Sequence, residues 1–199
     1  MVKQTNRALE MQKTRQRIIV TAERLFMDKG YRFVTTREIA KESNITQPAL
    51  YHHFKDKEMI YVAVLQAVTT DVRQGIDKLK MERKTAKEAL TAYFKLLIVE
   101  HPSNLAMMVN DINSQISAEN QLLLFQLWQS TYFIPMIAFF EEKQGANEIR
   151  ADKSAKAMTQ YTFGVLMSLV SLKIPYQTEE QLLIKVSESV DFLLEGIVR

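Results

Sequence analysis

The sequence predicts an all-α protein in which a small N-terminal three-helix domain with a helix-turn-helix precedes a larger C-terminal helical domain. The chain of 199 residues contains five glycines and four prolines, too few for the turns of a β-rich protein. Apolar residues recur at helical spacing, and 47% of all residues are hydrophobic, which is enough for a buried core. We place the domain junction inside a long fourth helix, giving domains of residues 1–60 and 61–199 without a flexible linker.

Charge is distributed unevenly along the chain. Residues 1–65 contain 12 Lys and Arg against 7 Asp and Glu, whereas residues 66–199 contain 14 against 16. A basic N-terminal module suits binding to a polyanion such as nucleic acid. Cysteine is absent, which excludes disulfides, thiolate zinc sites and a cysteine nucleophile. The polar, basic first 17 residues lack the apolar core of a secretory signal, so we expect a cytoplasmic protein.

Capping and breaking residues divide the chain into nine predicted helices. Gly30 ends the first helix, and Thr35 opens the second with a capping box in which Glu38 reaches back to it. Thr46 and Asp56 cap the third and fourth helices. The predicted helices are about 11–29, two short ones after Thr35 and Thr46, one from 56 to about 81, then 84–100, 103–117, 119–143, 152–173 and 178–198, with breaks at Pro102, Gly145 and Pro175.

Two short helices joined by a tight turn, with a long helix behind them, are typical of a helix-turn-helix. Asn44 suits that turn because Asn tolerates a left-handed backbone. In the second short helix Leu50 and Phe54 are neighbours on an apolar side and point inward. The opposite side carries an amide, a proline ring, a phenol and an imidazole, which can reach bases and phosphates. These residues are Gln47, Pro48, Tyr51 and His52. In the preceding helix, Arg37 can reach guanine or a phosphate. At the start of the next helix, Lys57 presents its charge to phosphate.

The run Thr35–Glu58 resembles the DNA-binding domain of the TetR family, with a specific Leu-Tyr-x-His-Phe-x-x-Lys core that begins at Leu50. The resemblance covers about residues 11–65, a third of the chain. Asn44 stands where the family usually has glycine, and Ala49 is shorter than the Thr often found there. The resemblance implies base contacts by Arg37, Gln47 and Pro48 and backbone contacts by Thr36, Tyr51, His52, His53 and Lys57; Thr46 and Ala49 complete the candidate DNA-binding set.

Beyond residue 65 no motif is specific. The 21 residues between Glu119 and Glu141 carry no charge, and this length would permit a membrane span. Polar residues interrupt the stretch, no Lys or Arg flanks it closely and Pro135 would kink it, so we expect a buried central helix and no membrane partner. Its aromatic, Met and amide residues suit an apolar ligand cavity and a plain core equally well. The candidate ligand-binding residues are Met107, Met108, Phe125, Trp128, Tyr132, Phe133 and Tyr161.

The family resemblance also implies a function for the C-terminal helices. They would bind a small effector, and the last two helices would join two copies in a four-helix bundle. The low charge of the central segment suggests that this effector is apolar or amphipathic. A homodimer suits a palindromic double-stranded operator, since one short helix reads too few bases. The family default is a repressor released by its effector. The apolar stripes assigned to the dimer are Met158, Tyr161, Val165, Leu169 and Leu172, then Leu182, Leu183, Val186, Val190, Leu193 and Ile197, with Gly164 allowing close approach.

Nothing in the sequence supports catalysis. The chain contains no H-E-x-x-H motif, phosphate-binding glycine loop or nucleophile elbow. Adjacent His52 and His53 diverge by about 100° on a helix and cannot share a metal, and His101 stands alone. We therefore predict no catalytic residue, metal or cofactor, although isolated carboxylates and histidines leave a metal open. The sequence is also compatible with an architectural DNA-binding protein that has no ligand, and with an activator.

Overall fold

The computed structural model describes residues 6–80, 84–100, 105–171 and 178–196. Every regular element in these ranges is helical, which confirms the predicted all-α class. A 3₁₀ turn lies at Tyr31–Phe33, and π-helical turns lie at Leu96–Glu100 and Gln129–Phe133. The α-helices are α1 Asn6–Lys29, α2 Thr36–Glu42, α3 Gln47–His53, α4 Lys57–Lys80, α5 Ala86–Lys95, α6 Leu105–Gln115, α7 Ala118–Trp128, α8 Ile134–Gly145, α9 Ala155–Ser171 and α10 Glu179–Glu195.

The predicted caps begin the helices of the N-terminal region. The side chains of Thr35, Thr46 and Asp56 each accept a backbone N–H three residues further on, at 3.1, 3.3 and 2.8 Å. The Glu38 carboxylate accepts from Lys29 Nζ at 2.5 Å. That ammonium, followed by the Thr35 backbone N–H, holds the pKa of Glu38 below its ordinary value. Side-chain acceptors thus satisfy the N–H groups that open these helices.

Asn44 takes the left-handed backbone predicted for the α2–α3 turn, with φ at 54°. Its N–H donates to Lys41 O and the next N–H, of Ile45, donates to Ala40 O, both at 3.0 Å. These two bonds satisfy carbonyl groups at the end of α2. Asn therefore fills the position that glycine usually occupies, which confirms that this departure from the family pattern is tolerated.

The chain divides into two compact units. The first contains the residues up to Val68 together with Met107–Leu124, and the second contains Thr69–Ala106 and the residues from Phe125 onward. The division within α4 therefore lies between Val68 and Thr69, eight residues after the limit drawn from the sequence. The limits 1–60 and 61–199 also do not include the 107–124 segment, which belongs to the first unit.

The first unit has an aromatic core. The Phe26 ring lies 5.8 Å from the Tyr31 ring and 5.1 Å from the Tyr61 ring, and the Tyr31 and Tyr61 rings are 5.0 Å apart. Leu50 and Phe54 of α3 are buried, which confirms the predicted inward side of that helix. α3 is therefore anchored by one apolar side, and its opposite side remains available for a ligand.

The second unit has its own core, built from the later half of α4 with α5, α8, α9 and α10. Gly75 of α4 packs closely against Leu96, because a Cβ at Gly75 would lie 2.7 Å from Leu96 Cδ1. Glycine is therefore needed at this point for the present packing of Leu96.

The uncharged central stretch forms one continuous helical segment, Ala118–Gly145, which by length and composition alone could cross a membrane. A π-helical turn directly precedes the helix turn containing Pro135, as expected where a proline lacks an N–H and crowds the preceding carbonyl. The expectation that this stretch is buried is wrong for the single chain, because only 22% of its most apolar part is buried. One side of this helical segment is buried, whereas the other side exposes the large apolar side chains of Leu122, Leu123, Phe125 and Ile134.

Candidate DNA-binding surface

The outer side of α3 forms the candidate recognition face, which we define as Gln47, Pro48, Tyr51 and His52. Pro48, Tyr51 and His52 are exposed, and Gln47 is half-buried. Pro48 lies in the first turn, where its missing N–H costs no helical hydrogen bond. The face is therefore presented to solvent by a short, well-capped helix, as predicted.

Thr36, the first residue of α2, links the two helices of the motif. Its hydroxyl lies 3.1 Å from the Tyr51 hydroxyl and accepts from Gln47 Nε2 at 3.3 Å. Arg37 follows directly and is exposed. Four of the predicted DNA-binding residues are therefore adjacent, and three of them are joined through one hydroxyl.

The C-terminal end of α3 carries His53 beside a cation from α1. The Arg15 guanidinium lies 4.6 Å above the centre of the Phe54 ring, a cation–π distance. Burial lowers the pKa of His53, and the charges of Arg15 and His52 lower it further. These effects all favour the neutral form of His53.

Lys57 does not point away from the protein as the sequence analysis expected. Its ammonium donates to Tyr31 O at 2.9 Å and to Val34 O at 3.1 Å, and it lies 4.0 Å above the Tyr31 ring. Burial lowers the pKa of Lys57, whereas the negative charge of Asp111 raises it. The structure thus places this cation on the turn before α2, and its contact with phosphate stays a prediction.

Asp111 of α6 was not identified from the sequence. It is 6% exposed, and its Oδ2 accepts the Tyr31 N–H at 2.9 Å. Asp111 is the one charged residue of α6, and a single acid in an otherwise uncharged helix is the signal that could have drawn attention to it. Its partner, however, is 80 positions away in sequence.

Glu58 was missed as well. Its Oε1 accepts the Ser117 N–H at 3.0 Å, the Ser117 hydroxyl and Asn120 Nδ2 at 2.6 Å. These hydrogen bonds, the one from the Ser117 hydroxyl foremost, hold the pKa of Glu58 below its ordinary value. The first two residues of α4 therefore contact different neighbours: Lys57 holds the turn before α2, and Glu58 holds the start of α7.

Three of the candidate ligand-binding residues lie together in the second unit, and the ligand-binding role of all seven stays a prediction. Trp128 lies in an aromatic cluster with Phe125, Phe133 and Phe163, at ring distances of 6.1, 5.3 and 5.5 Å. The other candidates are dispersed: Tyr132 is buried in the second unit, Met108 is buried in the first, Tyr161 is 78% exposed, and the Met107 side chain lies outside the described residues.

A cavity of about 60 Å³ in the second unit is lined by other residues. Its walls are apolar apart from the phenol of Tyr93, whose hydroxyl donates to Tyr132 O at 3.4 Å. None of the predicted ligand-binding residues lines it, because helical periodicity does not reveal where three helices leave a gap. The lining residues are Ile76, Leu79, Ala89, Leu90, Tyr93, Pro135, Met136 and Phe139.

The outer side of α9 and α10 exposes large apolar side chains among polar ones, and one of them, Tyr161, belongs to the stripes assigned to the dimer. Tyr161, Ile184 and Phe192 are 78%, 53% and 76% exposed and, with an open groove of about 500 Å³, form what we call the outer face. An added Cβ at Gly164 would meet no atom within 4 Å. Six residues of the predicted stripes pack in the core of the chain, namely Met158, Leu169, Leu182, Val186, Val190 and Leu193, whereas Tyr161 is exposed. The dimer interface stays a prediction. Leu172 and Ile197 lie outside the described residues.

Comparison with known proteins agrees with this geometry. Residues 18–64 match the model of bacterial regulatory proteins of the tetR family. The transcriptional activator FasR of Mycolicibacterium smegmatis is 32% identical over 93 residues, 45% of this chain and 42% of FasR. The class C tetracycline repressor of Escherichia coli is 41% identical over 56 residues, 28% of this chain and 26% of the repressor. The chain therefore spans less than half the length of these two relatives.

A solved structure extends the likeness of fold to nearly the whole chain. The regulator FadR of Bacillus subtilis, in complex with stearoyl-CoA, superposes with a TM-score of 0.76 at 22% identity, covering 92% of this chain and 98% of FadR. The C-terminal helices therefore share the fold of a regulator, although their sequence has diverged.

Replacing Glu58 with Gln should destabilise the protein by about 1–2 kcal/mol at neutral pH, because a charged acceptor is lost. The folded pKa of Glu58 is below the ordinary 4.5, so its contribution is complete above that value and disappears as pH falls through the folded pKa. Denaturant unfolding of both proteins from pH 7 to 3 measures this. A stability difference that does not narrow below pH 4.5 would contradict the role assigned to the carboxylate.

Proposed function

We propose that this chain, whose residues 18–64 match the tetR family of bacterial regulatory proteins, is a cytoplasmic, dimeric TetR-family repressor that a small molecule releases from a palindromic operator. The recognition face supports this proposal most directly. Its amide, proline, phenol and imidazole are exposed on a helix whose other side is buried, and Thr36 holds Gln47 and Tyr51 in place. A helix side that only faces solvent is expected to carry Lys and Glu rather than this combination of side chains.

The proposed contacts divide by chemistry. Arg37, Gln47 and Pro48 read base edges, since an amide can bond adenine at two positions and a proline ring can contact a thymine methyl. The hydroxyl and imidazole groups hold phosphates and set the register. The residues proposed to contact the DNA backbone are Thr36, Thr46, Tyr51, His52 and His53, and Ala49 is proposed to face the DNA groove.

We assign dimerisation to the outer face of α9 and α10. Tyr161, Ile184 and Phe192 expose large apolar side chains on a chain that already has a complete core, which is typical of a surface covered by a partner. An open Gly164 permits a second helix to approach closely. A two-fold arrangement then presents two recognition faces to two half-sites.

We further propose that the effector is apolar or amphipathic and enters the cavity between α4, α5 and α8. Its present volume of about 60 Å³ is below the roughly 300 Å³ of a small ligand site, so binding requires Met136 and Phe139 to move. The stearoyl-CoA held by FadR makes acyl-CoA a suitable first probe. Activation is the alternative to repression, since the relative FasR is an activator.

Selection of bound sequences from a random DNA pool tests the central claim. The expected product is an inverted repeat, on which Gln47→Ala costs about 1–3 kcal/mol and relaxes the preference at one base step. Gln12→Ala, an exposed glutamine of α1, is the matched control. Salt-sensitive binding without enrichment would favour an architectural DNA-binding protein, and equal losses on operator and random DNA would remove the base-reading role of Gln47.

Phe192→Glu should convert the dimer into monomers, because two carboxylates would be buried together in the interface. Light scattering after gel filtration measures the mass directly. Leu122→Glu, which replaces an apolar residue of α7 that is 59% exposed, should leave the dimer intact. A Phe192→Glu protein that stays dimeric would place the interface elsewhere.

Met136→Trp should abolish release of the operator by acyl-CoA, because the larger side chain fills the cavity. Operator binding is titrated with saturated acyl-CoAs of graded chain length, first for the unmodified protein and then for the variant. Ile134→Trp, at a position of the same helix that is 58% exposed, is the control. Release that persists in the Met136→Trp protein would contradict the cavity as effector site.

A further inference from the structure

The peptide groups of Tyr31 are held from both ends by opposite charges. The Asp111 carboxylate accepts its N–H at 2.9 Å, and the Lys57 ammonium donates to its carbonyl at 2.9 Å. Lys57 also donates to Val34 O at 3.1 Å, so the turn from Tyr31 to Val34 is closed by side chains from α4 and α6. Both partners belong to the first unit, with α6 contributing through the 107–124 segment.

This turn leads directly into the residues that read DNA. Val34 is followed by Thr35, the cap of α2, and by Thr36, whose hydroxyl contacts Gln47 and Tyr51 of α3. Asp111 is thus connected to the recognition face through the Tyr31–Val34 turn and the Thr36 hydroxyl. It does not need to touch DNA to affect how the face is presented.

A second contact holds the same segment to the start of α4. Glu58 accepts from the Ser117 N–H and hydroxyl and from Asn120. Lys57 and Glu58 are consecutive residues of α4. The start of α4 therefore contacts both the Tyr31–Val34 turn, through Lys57, and the junction between α6 and α7, through Glu58. Displacement of residues 111–120 would therefore disturb both contacts together.

We propose that Asp111 is a positioning residue for operator binding: it fixes the Tyr31–Val34 turn, with Lys57 acting as an internal brace rather than a phosphate contact. The proposal rests on the proposed function as an operator-binding regulator. It assigns the 107–124 segment the task of holding the base-reading residues in their binding geometry.

The two roles of Lys57 differ in their salt dependence. A lysine that contacts phosphate releases counterions, so its loss lowers affinity for every sequence and reduces the salt slope by about 0.9. A brace has no such effect, because no DNA charge is involved. Its loss instead lowers operator affinity selectively, since random-sequence binding does not need the base-reading geometry.

The test compares the full-length protein with its Asp111→Asn and Lys57→Met variants, using the selected operator and a random duplex across a range of salt. Both variants should lose about tenfold in operator affinity, the scale of one charge-assisted hydrogen bond, and less than twofold on random DNA, with unchanged salt slopes. Asn113→Ala, on an exposed position of α6, should bind like the unmodified protein. Protection of the Tyr31 amide from hydrogen exchange should fall in Asp111→Asn and not in the control.

The outcomes separate the two claims. If the unmodified protein selects no operator, the proposed function fails and this inference fails with it. If it selects an operator that Asp111→Asn binds equally well, or if the variant loses operator and random DNA alike, only the inference is overturned. A reduced salt slope in Lys57→Met would return that residue to phosphate binding. If Asp111→Asn fails to fold, Ser117→Ala takes its place and must show the same selective loss of operator affinity. A Ser117→Ala protein that binds the operator like the unmodified protein would overturn the inference.

Discussion

The placement of α2 in the first unit depends on two opposite charges that hold the peptide groups of Tyr31. A carboxylate as buried as Asp111 is costly unless its oxygens are bonded, and a half-buried ammonium is costly unless its hydrogens are. Here the backbone supplies both partners, an N–H for the acid and a carbonyl for the base. Removing either group leaves its own backbone partner, the N–H or the carbonyl of Tyr31, without that hydrogen bond. The two groups are also coupled by their charges, since the negative charge of Asp111 raises the pKa of Lys57.

The same turn leads to a recognition face whose side chains are already joined to one another in the unbound protein, which under the proposed function is organised for DNA before binding. Gln47 and Tyr51 already share the Thr36 hydroxyl, which restricts side chains that would otherwise lose up to about 2 kcal/mol of rotamer entropy each on binding. The exchange of a Thr36 bond for a bond to DNA changes the free energy little, because both are single hydrogen bonds. Affinity for one sequence over another therefore depends on where α2 and α3 are placed, and that placement begins at Tyr31.

Local chemistry made part of this geometry predictable. Thr35, Thr46 and Asp56 cap their helices because each bonds an N–H only three residues away, and Asn44 reveals its left-handed turn by its own side chain. The environment of Lys57 was not predictable in the same way. Its partners are backbone carbonyls 23 and 26 residues earlier, and Asp111 meets Tyr31 across 80 residues. No periodicity encodes such contacts, so a basic residue beside a DNA-binding motif was assigned to phosphate by its charge alone.

The last two helices show the corresponding limit for apolar patterns. α10 carries large apolar residues on two sides: Val186 and Val190 face the core, whereas Ile184 and Phe192 face solvent together with Glu188. Periodicity identifies a stripe but cannot decide which of two stripes packs within the chain, and the larger aliphatic stripe was assigned to the partner. The distinction affects function, because an interface built on Tyr161 and Phe192 uses aromatic residues left over after the core is complete. Under the proposed dimer such a face can bury its area while the core of each protomer stays as it is in the single chain.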